Sequence, residues 1–242
     1  MEGRGFAEDP GVEGDPLSTP THHLTVGVLE WRRRVSAEYR SAALTAQLLH
    51  RCIQLGIDDA LLATAQRIVA DELEPARISH DVAVALGGPD EPVPLDPGEL
   101  QAPDRPEGPF ADLVERAVQG FCLGETFAVP LFHAMRQGAE GPARAALDRI
   151  LRDEAVHRQF GWDLLDALLE VDGDGVRAYV TRRLPGWLAG FERAYHPDHP
   201  GEDLGPAERA AGLIPLSAYR AAYVEAVETD IRPRLARRQI TW

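Results

Sequence analysis

The chain has 242 residues, 44% hydrophobic and 26% charged, which is the composition of a globular protein and not of a disordered one. Asp and Glu outnumber Lys and Arg, 39 to 25, and the net charge of −14 argues against nucleic acid or an anionic membrane as the main partner. No apolar run approaches the roughly 20 residues of a membrane helix. Two cysteines, Cys52 and Cys122, cannot frame a disulfide-stapled fold, so a cytoplasmic protein is expected.

Residues 1–22 are acidic and rich in Gly and Pro, and are expected to form a disordered tail. They lack a basic start followed by an apolar stretch, so no secretory leader is expected. Residues 23–242 read as one helical domain. A first helix spans about Val26 to Leu55 and stops at Gly56; Asp58 or Asp59 caps a second, which runs to about Leu86. A crossover follows, whose Pro89, Pro92, Pro94, Pro97, Pro103 and Pro106 exclude a regular helix or a central strand. A third helix spans about Phe110 to Gln137 and ends at Gly138. Pro142 opens a fourth, which runs to about Val171. Two more are expected, from Gly175 to about Tyr195 and from Pro215 to about Arg238. Two helical hairpins joined by a long connection give an all-α, ferritin-like four-helix bundle with one long crossover plus two C-terminal helices.

Each long helix carries one acid inside an apolar stripe. Glu38 follows Trp31 and Val35 and precedes Ala42 and Thr45. Glu72 follows Ala65 and Ile68 and precedes Ser79 and Val82. Glu125 sits among Phe121, Cys122, Ala128 and Phe132; Glu154 sits among Leu147, Ile150, Leu151 and His157. Residues at three- and four-residue steps share a helix face, so all four acids point toward the core. Buried carboxylates need a partner charge, and one or two dications would supply it. Glu125 and Glu154 are both 13 residues from their shared turn, which puts them level at ~20 Å from it; Glu38 and Glu72 differ in height by ~6 Å.

The stretch Arg67–Pro75 lines up with Arg149–His157. Within the second, Glu154 and His157 form the Glu-x-x-His pair of carboxylate-bridged di-iron and di-manganese bundles, a spacing that lets both side chains reach one ion. On these residues the chain, over about Leu24 to Leu235, resembles ferritin-like, di-iron-type bacterial proteins. Gly124–Ala128 with Asp153–His157 resembles the second half-site, and Glu38–Ala42 with Asp71-Glu72 the first. Ala211–Ile214 and Ile231–Leu235 resemble the family's C-terminal helix.

The resemblance implies metal ligation by Glu38, Glu72, Glu125, Glu154 and His157, with iron as the metal: two ions, or alternatively one, or manganese. It places a histidine where this chain has Pro75, which has no side-chain donor. Three readings stay open: two metals with one ligated differently, one metal on Glu125, Glu154 and His157 with Glu38 or Glu72 bridging, or a metal-free repurposed scaffold. His80 and His133 are the candidate substitutes for the missing nitrogen. The implied function is a non-haem oxygenase or oxidase that activates dioxygen to oxidise a small-molecule substrate. An electron donor, and a monomer or homodimer, go with it. The alternative is a ferroxidase-type metal binder without an organic substrate.

Overall fold

The computed structural model describes residues 25–194 and 203–242. The expected tail, together with His22, His23, His196 and His199, lies outside the described residues. Helix α1 is Val26–Gln54 and helix α2 is Asp59–Ala85. Thr25 caps α1 by accepting from the Val28 N–H, and Asp58 caps α2 by accepting from the Ala60 N–H at 2.8 Å. Gly56 turns the chain between them at φ +68°, a conformation that favours glycine.

Helix α3 is continuous over residues 109–138 but not uniform. It has an α-helical start, Pro109–Arg116, a π-helical stretch, Ala117–Glu125, and an α-helical end, Thr126–Gly138. The regular α-helix expected here is therefore corrected. The π stretch rests on α4, Gly141–Val171, at Gly161. A Cβ there would lie 2.4 Å from the Phe121 Cβ and 2.8 Å from the Cys122 N, so only glycine permits this approach. Cys122 donates its thiol to the Gly161 carbonyl at 3.2 Å.

Helix α5 is Gly173–Ala194. A short helix not expected from the sequence, α6, is Pro206–Ala210. The last, α7, covers residues 216–237 as Leu216–Ala226, a π turn Val227–Ile231, and Arg232–Arg237. Among the described residues there is no strand, and no helix is long and apolar enough to cross a membrane. In the four-helix bundle α1 packs on α2, α2 on α4, and α4 on α3. Residues 86–108 run along it as the long crossover. Gln47 donates to the Leu100 carbonyl at 2.8 Å, and Arg116 to the Ala102 carbonyl at 3.0 Å. Arg51 and Arg116 share the buried Asp112 at 3.1 and 2.8 Å.

The interior is divided. One apolar cluster holds Leu48, Ile68, Phe121, Phe160, Leu164 and the inner faces of α5 and α7. A second, at the opposite end, holds Trp31, Val82, Phe132, Met135, Leu147 and Ile214. Trp31 closes that end by donating its indole N–H to the Ala211 carbonyl at 2.8 Å. The acids fall along the helices between these two clusters.

Candidate metal centre

Glu38, Glu72, Glu154 and His157 are buried, and Glu125 is half-buried. All five face the interior, each with apolar neighbours one turn away: Val35 and Ala42 by Glu38, Ile68 by Glu72, Phe121 by Glu125, Ile150 by Glu154. Glu125 is the last residue of the π stretch, so the wide turn before it sets its aim. It is also the most exposed of the five.

One donor atom each from Glu72, Glu125 and His157 come within 4.8 Å of one another. Two donors bound to one ion at about 2.1 Å stand ~3.4 Å apart in a tetrahedral set and at most ~4.2 Å, so these side chains would draw inward to share an ion. Glu38 and Glu154 flank the trio, hydrogen-bonded to Glu72 and to Glu125 respectively. Ser41 donates its hydroxyl to Glu72 Oε1 at 2.9 Å.

Burial and mutual repulsion decide the protonation. Burial first, then the negative charges of Glu125 and Glu38, hold the Glu72 carboxyl well above the ordinary range. Burial and Glu154 do the same to Glu125. Glu154 is pushed up to about 8 by burial and by Glu72, although the nearby Arg34 opposes the rise. Glu38 is also raised by burial, again against Arg34. His157 is shifted down from its ordinary value by burial, so the imidazole is neutral with a lone pair to give.

His157 is 3% exposed, yet neither ring nitrogen has a hydrogen-bond partner, and Glu154 Oε2 has none either. Nδ1 lies 3.4 Å from Glu72 Oε1 and Nε2 lies 3.7 Å from Asp71 Oδ2, contacts too long or misaligned for hydrogen bonds. Buried orphan donors and acceptors are destabilising, and a cation bound beside Glu72, Glu125 and His157 would partner those that face it. Carboxylates with a neutral imidazole are the donor types of iron and manganese sites, so these residues fit such an ion.

Asp71 was not singled out by its position in the sequence. Adjacent to Glu72, it reaches the outer side of the His157 ring, while Arg67 holds it at 3.2 Å. The other candidates stand outside the pocket. His80 pairs with Asp90 at 3.2 Å, and His50 and His133 are exposed. Arg158 pairs with Asp230 at 2.7 Å and Arg77 with Asp81 at 2.8 Å. Glu74 pairs with Arg149, which also holds Asp153. Tyr39 is exposed, and Trp162 is fully buried beneath Arg234 and Arg238. Pro75 is buried within α2, which continues through it to Ala85.

No protein-family model matches the chain, and no curated protein matches it. Among solved structures it is similar to a Synechococcus protein, "Protein 19 with aldehyde deformylating oxidase activity". The TM-score is 0.53 at 20% identity, over 88% of this chain and 98% of that one. Identity this low speaks for shared architecture, and the fold of this chain is the all-α, ferritin-like bundle with a long crossover.

Proposed function

We propose that the protein is a non-haem metal oxidoreductase that holds iron, or manganese, in the acidic pocket and uses dioxygen to oxidise a small molecule. The observation that carries this is His157, a buried neutral imidazole with both nitrogens unpartnered, set within 4.8 Å of carboxyl oxygens from Glu72 and Glu125. The oxidase activity named for the Synechococcus protein supports the reaction class and makes aldehydes the first substrates to assay.

Glu72, Glu125, Glu154 and His157 would hold the metal, with Glu38 beside them. A bound iron would supply the one-electron and oxygen chemistry that no protein side chain performs. The chain's own part is containment and proton management. Asp71, against Nε2, orients the His157 ring so that Nδ1 faces Glu72. The two apolar clusters above and below the acids keep bulk water from both ends of the pocket. Burial and mutual repulsion favour the protonated form of the Glu72 and Glu125 carboxyls, and a bound cation would take the place of those protons.

The test is metal content followed by oxygen uptake. Protein from iron-supplemented cells should retain iron, and the anaerobically reloaded ferrous form should consume dioxygen in an electrode chamber. Glu125→Ala and His157→Ala should lose both. Wild-type protein that retains neither iron nor manganese overturns the proposal.

A further inference from the structure

The pocket is lopsided. Its α4 side offers an imidazole and the Glu154 carboxyl, and the trio Glu72, Glu125 and His157 converges there. On the α1 side Glu38 has Glu72 as its hydrogen-bond partner, and one turn along α2 from Glu72 stands Pro75, with nothing to ligate.

A fixed cation occupies the α1 side instead. Arg34 lies one turn before Glu38 and is nine-tenths buried, 9% exposed. Its guanidinium is clamped between the rings of Phe132, at 4.8 Å, and Trp31, at 5.3 Å. Nη2 donates to the Met135 sulfur at 3.4 Å and stands 3.8 Å from the partly exposed Glu30; Nε has no partner. A thioether is a weak acceptor, and an ion pair at that length is weak. A guanidinium buried this far requires more compensation than these contacts give.

We infer that the pocket takes a single divalent metal ion, on Glu72, Glu125, Glu154 and His157, and that the clamped guanidinium of Arg34, one helical turn from Glu38 on α1, stands as the second positive charge. This rests on the metal reading above and narrows it. Two dications would already neutralise four carboxylates and leave the buried guanidinium only the weak, partly exposed pair with Glu30. One dication leaves a negative excess for Arg34 to balance. The aromatic clamp keeps Arg34 from swinging out to make room.

The experiment counts metal on the full chain. Metal-stripped protein is titrated with Mn2+, the free ion is followed by electron paramagnetic resonance, and retained metal is measured after gel filtration. Wild type should bind one equivalent per chain. His157→Ala should weaken that equivalent at least tenfold. Arg34→Gln should admit a second equivalent, and Arg34→Lys, which keeps the charge, should not. Two equivalents of similar affinity in wild type overturn the inference and leave the metal reading standing. No bound equivalent overturns both. One equivalent in wild type and in a helical Arg34→Gln removes Arg34 from the role assigned to it. The wild-type count needs no variant, so a misfolded Arg34→Gln does not spare the inference.

Discussion

Replacing Glu154 by glutamine removes one titrating carboxyl from the pocket and keeps its shape. Glu154 ionises at about 8 in the folded protein, raised from the ordinary 4.5 by burial first and by Glu72 second. Between these two values the folded state binds more protons than the unfolded one. Stability therefore falls as pH rises. The contribution is fully present below 4.5 and lost as pH passes through about 8. Over that span, at ~1.36 kcal/mol per pH unit, the loss is about 5 kcal/mol for this one group. That is a large share of the 5–15 kcal/mol typical of a folded domain. Glutamine carries no charge at any of these values, so it removes the penalty. It also removes the repulsion that Glu154 exerts on Glu125. Urea unfolding followed by circular dichroism, in the presence of a chelator at pH 4.5, 5.5, 6.5, 7.5 and 8.5, measures the effect. Relative to their difference at pH 4.5, wild type should already have lost ~1.4 kcal/mol against Glu154→Gln at pH 5.5. They should diverge further by up to ~1.4 kcal/mol per pH unit until about 8, with the variant the more stable. Parallel curves would refute the assignment of a buried, proton-holding carboxyl at this position.

Adding Mn2+ or Fe2+ at about 100 times its dissociation constant should stabilise wild type by ~2.7 kcal/mol, which a thermal scan reads as a rise of roughly 5–10 °C. His157→Ala should abolish that rise, and an undiminished rise would separate the metal from this pocket. Asp71→Asn should lower metal affinity 10–100-fold without changing the number of ions bound, because Asp71 touches the far side of the His157 ring; isothermal titration calorimetry distinguishes the two. Gly161→Ala should destabilise by about 1–3 kcal/mol or more and weaken metal binding, since its Cβ collides with the backbone of the π stretch that ends at Glu125. Gly120→Ala, in the same stretch with nothing within 4 Å, is the control and should be neutral or slightly stabilising.

The hairpins were legible because their signals are local. Gly56, Asp58, Gly138 and Pro142 each act within one turn, and the helix ends fall within a few residues of them. That Glu38, Glu72, Glu125 and Glu154 turn inward was legible for a different reason, since an acid inside an apolar stripe violates the pattern around it. The π stretch was not legible. A segment with one extra residue per turn keeps apolar residues on the inner face, so Val118, Phe121 and Cys122 fit a regular helix equally well. Its necessity comes from Gly161, about 40 residues away, which lets the two helices touch. Arg34 was hidden in the run Arg32-Arg33-Arg34, where Arg33 is exposed, Arg32 half-buried, and composition cannot say which turns inward. Asp71 was masked by Glu72. Neighbours on a helix point ~100° apart, and only the position of α4 shows that His157 falls between them. His80, a candidate for the missing nitrogen, does not serve as one, because α2 continues through Pro75 and His80 turns to Asp90.

The split core explains why the acids sit where they do. In a continuous apolar bundle the layer at Glu38, Glu72, Glu125 and Glu154 would hold Leu or Ile, each contributing roughly 1.5–3 kcal/mol on burial. This chain forgoes that in four places and leaves both nitrogens of a buried histidine unpartnered as well. The helices nonetheless stay together, because the clusters around Phe121 and Phe160 at one end and around Trp31 and Leu147 at the other are complete in themselves. The middle layer is thus free to be destabilising without unfolding the bundle. A cation entering it works against no preformed packing, and its binding free energy goes into neutralising carboxyls that the two cores already hold in place. That division predicts separable effects: a deletion such as Leu147→Ala should lower thermal stability by about 2–5 kcal/mol with little change in metal affinity, whereas Glu72→Gln should do the reverse. If both variants lose metal and stability in proportion, the layers are coupled and the pocket is not an independent element of the fold.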